Sequence, residues 1–284
     1  MPDQAERLRE LVRHWELRRK QTRRTIAVAS GKGGVGKTNL TVNLALALKE
    51  EGRSVTLLDA DLGLANVDVV LGIPTTYTLA HVTRQEKKLA EIVYSAHGLQ
   101  LIAGGRGVEE LLELSDSALR NLVQEAARLD SDFFLIDTSA GISQSVTSLA
   151  LAAGEVLIVT TPEPTALTDA YALVKVLLRR NPALRLHLVV NRVRSPREGT
   201  QVMNNLQQVV QQFLGASLNF LGYIPEDNTV RSAVLKQEPL LHFAPQSLAA
   251  RQVRAIAGRL IGESSINSVG GFSAFISRLR FLLH

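Results

Sequence analysis

Cysteine is absent from all 284 residues, and Met (2) and Trp (1) are scarce. Without a thiol the chain cannot build a disulfide framework, a Cys-ligated zinc site, an iron–sulfur cluster or a thiolate nucleophile. It also lacks the run of about 18 apolar residues that crosses a bilayer as a helix. The opening MPDQAERLRE is charged and holds no apolar segment, so no secretory signal is expected and the cytoplasm is the expected compartment. His14, His81, His97, His187, His242 and His284 are scattered, with no HExxH and no metal-ligand spacing. What remains is ordinary globular material, 45% hydrophobic and 21% charged, long enough for one large α/β domain.

The net charge of +5 is unevenly placed. Residues 1–24 hold 8 Lys or Arg against 4 Asp or Glu, and the last fifteen residues add Arg278 and Arg280. The body between them is close to neutral. Basic arms on a neutral body suit acidic partners, an anionic membrane or nucleic acid. No broad basic body surface is expected, so nucleic acid is not the expected primary partner.

Short unbroken apolar runs punctuate the body at 25–30, 54–59, 99–103, 132–137, 155–160, 185–191 and 217–224. Such runs predict strands buried on both faces, hence a parallel sheet covered by helices. Helical patterns lie between them, clearest at 37–51, 115–130, 165–180, 197–213 and 245–261. Strand–helix alternation predicts one doubly wound, mostly parallel α/β domain over residues 25–262. Residues 1–24 are expected to form a helical arm before it, and 263–284 a linker and an amphipathic helix after it.

The strongest local signal is Gly31-Lys32-Gly33-Gly34-Val35-Gly36-Lys37-Thr38, directly after the first strand and opening a helix. This is the phosphate-loop pattern GxxxxGK[ST] in its required context. Its glycines let backbone N–H groups turn towards phosphate oxygens, and the helix N-terminus adds positive potential. Lys37 is placed for the β- and γ-phosphates, Asn39 for the nucleotide beside it, and the Thr38 hydroxyl for Mg²⁺. Gly31, Gly33 and Gly36 also spell GxGxxG, with Asp59 at the end of the next strand as a dinucleotide site would want. Such a loop has no use for Lys37-Thr38, and it leaves a second acidic strand end, Asp137, unexplained. Four apolar residues and then Asp137 make the pattern that orders Mg²⁺ beside a phosphate loop. Gly141 follows, where a backbone N–H can meet the terminal phosphate.

The extra Lys32 ahead of the glycines makes KGGVGKT resemble the deviant phosphate loop of the MinD/ParA family of ATPases. Asp59-Ala60-Asp61 and Asn66 are similar to that family's first switch, and Asp137-Thr138-Ser139-Ala140-Gly141 to its second, where many members have Pro in place of Ser139. Asn191-Arg192 and Pro225-Glu226-Asp227 resemble its adenine-side segments. The resemblance covers about residues 25–262 and implies an Mg²⁺-dependent ATP hydrolase that binds ATP as a homodimer. It implies that Lys32 crosses to the partner copy's nucleotide, that Asp61 orients the attacking water, that Asp59 lies on the Mg²⁺ side with Thr38 and Asp137, and that Asn66 reaches the dimer interface.

Within that family the arms resemble the flagellar regulators called FlhG, YlxH or FleN. Asp3, Gln4, Ala5, Leu8 and Arg9 match the family's DQAxxLR segment, an activator of the GTPase FlhF. Ala5, Leu8, Val12 and Trp15 also fall on one helical stripe. At the other end Phe272, Phe275, Ile276 and Leu279 share a helical face, followed by Phe281 and Leu282 and flanked by arginines. That composition suits a helix lying in an anionic membrane interface, or one docked in a groove of the domain without ATP and released in the dimer. The resemblance therefore implies control of flagellar number and placement, peripheral attachment to the inner face of the cell membrane, and flagellar C-ring proteins as partners. A MinD-type division-site ATPase or a ParA-type cargo-positioning ATPase is the alternative, and a purely regulatory binding protein is a third reading that intact Lys37, Thr38, Asp61 and Asp137 argue against.

Overall fold

A computed structural model describes residues 23–61, 66–111, 114, 116–129, 131–263 and 270–282. The expected arm residues Asp3, Gln4, Ala5, Leu8 and Arg9 lie outside the described residues.

The strands are β1 (Arg24–Ser30), β2 (Val55–Ala60), β3 (Val93–Ala96), β4 (Leu99–Ala103), β5 (Phe133–Ala140), β6 (Glu155–Thr160), β7 (Arg185–Val193) and β8 (Asn219–Pro225). They form one sheet in the order β3-β4-β2-β5-β1-β6-β7-β8. Every pairing is parallel except the edge pair β3–β4. The unbroken apolar runs explain the parallel part, because β1, β2 and β6 are buried along their whole length. β3 escapes the sequence pattern because VYSA is short and mostly half-exposed at the edge.

The helices are α1 (Lys37–Glu50), α2 (Val67–Leu71), α3 (Leu79–Thr83), α4 (Gly107–Glu110), α5 (Asp116–Ala126), α6 (Gln144–Ala153), α7 (Pro164–Arg180), α8 (Pro196–Leu214), α9 (Asn228–Leu235), α10 (Leu240–Phe243), α11 (Leu248–Gly262) and α12 (Phe272–Phe281). One core cluster, with α5, α6, α7, α8 and α12, covers one face of the sheet; a second, with α1, α10 and α11, covers the other. The doubly wound expectation therefore holds. Helix α6 is missing from the sequence pattern because residues 146–153 are all buried, so no polar stripe marks a 3.6-residue period.

The C-terminal helix departs from a free membrane face. Phe272, Phe275, Ile276 and Leu279 are each 2% exposed or less. They belong to the core beneath α5 and α6, with the Phe134 ring of β5 5.0 Å from Phe272 and 5.7 Å from Phe275. Arg278 fastens the helix by donating to the carbonyls of Ala152 and Ala153 at 2.6 and 3.2 Å, closing the end of α6. Only Phe281 and Leu282 of the expected membrane residues are exposed. In this form the protein's own body covers the apolar stripe.

Candidate functional site

Strand order places the site. β1 lies at the centre between β5 and β6, and β2 lies just beyond β5. The phosphate loop leaves the carboxyl end of β1, where two acidic strand ends, Asp59 of β2 and Asp137 of β5, are register partners. Ligands of open α/β sheets collect at such carboxyl ends.

The loop is held from both sides. Gly36 has φ 92° and caps α1, and a Cβ on it would run into the Asn191 amide. Asn191 Nδ2 donates to the Val35 carbonyl at 2.7 Å, so the end of β7 props the loop. Gly31 lies against the Asp169 backbone of α7, where a Cβ would collide. Gly34 also has positive φ, and Val35 is buried beneath it.

Lys37 is 8% exposed at the base of the loop. Thr38 Oγ1 donates to Asp137 Oδ2 at 2.6 Å, and Thr41 Oγ1, one turn along α1, donates to Asp137 Oδ1 at 3.2 Å. Asp137 is fully buried. Burial pushes its carboxyl up to about 6, even though Lys37 and the Thr38 hydroxyl favour the ionised form. A buried acid so penalised is suited to a divalent cation, whose charge would offset that penalty. Asn39 supplies a second sign of a ligand: its Nδ2 is buried with no hydrogen-bond partner. The residues present therefore fit Mg²⁺ and a phosphate chain.

Asp59 is tied to the backbone that follows β2. Its carboxylate accepts the N–H groups of Asp61 (3.2 Å), Asn66 (2.9 Å) and Val67 (3.0 Å). It caps the start of α2 through the Asn66 and Val67 N–H groups and is the register partner of Asp137. Asp61 lines the cleft and accepts a hydrogen bond from Ser139 Oγ at 2.7 Å. Asn66 is exposed at the cleft edge, and the Gly141 N–H is engaged by the Ser30 carbonyl at 2.8 Å.

A cleft of about 750 Å³ joins Gly33, Gly34, Gly36, Lys37, Thr38, Asn39, Asp61 and Asn66 to Asn191, Arg192, Pro225, Glu226 and Asp227. One cavity thus gathers residues scattered over some two hundred positions of sequence. Arg192 has φ 57°. Asp227 caps α9, with its side chain accepting the Thr229 N–H at 2.9 Å; burial would raise its carboxyl, but the Thr229 bonds bring it below the usual value. Lys32 does not line the cleft and is held in its own chain, 2.7 Å from Glu163 Oε2 and 2.9 Å from Thr165 Oγ1.

The sequence patterns do not mark Glu163 and Thr165, whose only signal is the Pro-Glu-Pro-Thr stretch at 162–165, where β6 leads into α7. They also miss Thr41, although i, i+3 spacing from Thr38 puts both hydroxyls on one helix face. The apolar wall of Val69, Val70, Val230, Val234 and Leu235 was likewise missed, because short helices carry little periodicity.

The fold and the site define a P-loop nucleoside triphosphatase. The family described as ParA, an NUBPL iron-transfer P-loop NTPase, matches residues 21–261. The chain belongs to this ParA/MinD family of P-loop NTPases. It is 41% identical over 258 residues to the antiactivator FleN of Pseudomonas aeruginosa, covering 89% of this chain and 92% of that one. It is 37% identical over 262 residues to the flagellum site-determining protein YlxH of Helicobacter pylori, covering 89% and 88%. Among solved structures, the septum site-determining MinD of Pyrococcus horikoshii complexed with Mg-ADP matches with a TM-score of 0.66 at 30% identity, covering 84% of this chain and 95% of that chain. Iron ligation by thiolates is closed to this chain, which has no cysteine. Among the described residues no helix is long and apolar enough to cross a membrane.

Proposed function

We propose that this protein is an Mg²⁺-dependent, ATP-dimerising ATPase that controls flagellar number and placement. The observation that carries the reading is one cleft lined by Lys37, Thr38 and Asp61, with Asp137 bonded to Thr38 behind it and Lys32 on the loop that opens it. The likeness to FleN and YlxH over most of the chain supports the flagellar assignment.

On this reading Lys37 and the loop N–H groups hold the β- and γ-phosphates. Thr38 and Asp137 would hold Mg²⁺, which when bound neutralises charge on the phosphates. Asp61 accepts a hydrogen bond from the water that attacks the γ-phosphorus as ADP leaves. Lys32 of a second copy neutralises the charge that builds in that step. Asn66 then lies at the interface.

The basic arms carry the partners. Residues 1–24 stimulate the GTPase FlhF through Asp3, Gln4, Ala5, Leu8 and Arg9, and the C-terminal helix binds anionic membrane once it leaves its groove. Flagellar C-ring proteins are further partners. Attachment is thus peripheral and reversible, from the cytoplasm.

Size-exclusion chromatography with light scattering tests the core of the reading. Wild type and Asp61→Ala become dimers in ATP and remain monomers in ADP, and Asp61→Ala binds ATP without hydrolysing it. Monomers in saturating ATP, or hydrolysis by Asp61→Ala at the wild-type rate, overturn it. A 1–24 peptide is expected to accelerate GTP hydrolysis by FlhF where a scrambled peptide of equal charge does not.

A further inference from the structure

We infer that Ser139 is a positioning residue for hydrolysis, holding the Asp61 carboxylate so that it meets the attacking water in one orientation; the inference rests on the reading of Asp61 given above. The placement follows from strand register. β2 and β5 are parallel with Asp59 opposite Asp137 and Ala60 opposite Thr138. The next step along both chains sets Asp61 beside Ser139, at the spacing of neighbouring strands, about 4.8 Å. A serine side chain spans that gap, and its Oγ lies 2.7 Å from Asp61 Oδ1.

A serine hydroxyl has one proton to donate. Donated to Asp61, it fixes both the rotamer and the facing of the carboxylate. The backbone of Asp61 is fixed independently, by its N–H to Asp59 at 3.2 Å. Asp61 is therefore held from two strands while its side chain lines the nucleotide cleft. Proline or alanine at this position would have no hydroxyl, so the link depends on the serine. Misplacing a reacting group by about 1 Å can lower a rate by up to about a hundredfold, which is the leverage available to such a bond.

The test uses the full-length protein and the variants Ser139→Ala, Ser139→Thr, Asp61→Ala and Asp61→Ala/Ser139→Ala. We expect Ser139→Ala to lower kcat about tenfold, with KM and ATP affinity within about twofold of wild type and the thermal midpoint unchanged. Slower hydrolysis also lengthens the life of the ATP dimer, read by light scattering without any turnover assay. Ser139→Thr keeps the hydroxyl and restores the rate, and in the Asp61→Ala background Ser139→Ala changes nothing further. If Asp61→Ala is inactive but Ser139→Ala turns over like wild type, the inference fails while the role of Asp61 stands. If Asp61→Ala hydrolyses normally, the underlying reading fails first. Equal losses of affinity and rate in Ser139→Ala, or no rescue by Ser139→Thr, reduce Ser139 to a structural residue and overturn the inference.

Discussion

Gly36 and Asn191 meet so closely that neither position can change freely. A methyl group at residue 36 would need both a left-handed backbone and a displaced Asn191 amide. Such strain is of order 1–3 kcal/mol. Gly36→Ala should therefore lose ATP binding by calorimetry while the protein stays folded, whereas Gly34→Ala, which carries the backbone strain of φ 76° but meets no atom within 4 Å, should lose less. Away from the site, Glu155 shows a different single-residue effect. It is paired with Arg24 (Nε at 3.0 Å) and with His187 Nε2 (3.0 Å) in the interior. Burial alone would raise its carboxyl, but the bonds from His187 and Arg24 hold it down at about 2. A depressed carboxylate contributes stability that is present above its unfolded value, near 4.5, and is lost as pH falls towards 2. Glu155→Gln should cost about 3–5 kcal/mol at pH 7, because it leaves Arg24 buried without its charge partner. Urea midpoints should show that difference shrinking between pH 4.5 and 2, and a gap that stays constant with pH would sink the assignment. At this scale Gly36, Lys37, Thr38 and Asp137 were legible because their chemistry is local in sequence. The backbone contacts of Asp59 were not, because the N–H groups of Asp61, Asn66 and Val67 are brought to it only by the fold.

Among the elements, α12 joins a surface reading to a core reading. Its sequence has the apolar face and flanking arginines of a membrane helix, and those same side chains fill a groove under α5 and α6. Burying four large apolar side chains is worth roughly 6–12 kcal/mol before entropy is counted. Deleting the helix should therefore weaken the folded domain, contrary to the behaviour of a tethered anchor. Phe275→Ala should destabilise by about 3–5 kcal/mol in a urea melt. Phe281→Ala, at an 84% exposed position, should stay within about 0.5 kcal/mol of wild type. Equal melts for the two variants would mean that the helix is not docked. Periodicity gave away the face of this helix but not what covers it, since a protein groove and a lipid interface select the same side chains. Strands were easier, because unbroken apolar runs arise from burial on both sides. The β3 edge and the all-buried α6 lacked any such contrast between faces.

The whole molecule separates its nucleotide chemistry from its ends. The cleft lies at the carboxyl end of β1, while the chain enters at Arg23 and returns at Gly270 beside the amino end of the same strand. There the Gly271 N–H donates to Thr25 Oγ1 at 2.8 Å, and a Cβ on Gly270 would collide with the Arg23 carbonyl. Two copies meeting cleft to cleft would thus keep Arg23 and Gly270 away from their interface. On that arrangement the state of Lys32 controls assembly. In the single chain it is tied to Glu163 and Thr165, an arrangement that also holds the Glu163 carboxyl below its usual range. The pair is surface-exposed, with 37% and 59% of the two side chains accessible, so it is a weak tether that a nucleotide across an interface can outcompete. Lys32→Ala should bind ATP as a monomer and fail to dimerise. Glu163→Gln should do the reverse, removing the competing carboxylate and lowering the protein concentration needed for half-dimerisation in ATP by a few-fold. Sedimentation across a dilution series distinguishes these outcomes. If Glu163→Gln binds ATP normally yet dimerises less readily than wild type, Glu163 belongs to the interface itself, and the lysine is not being held in reserve.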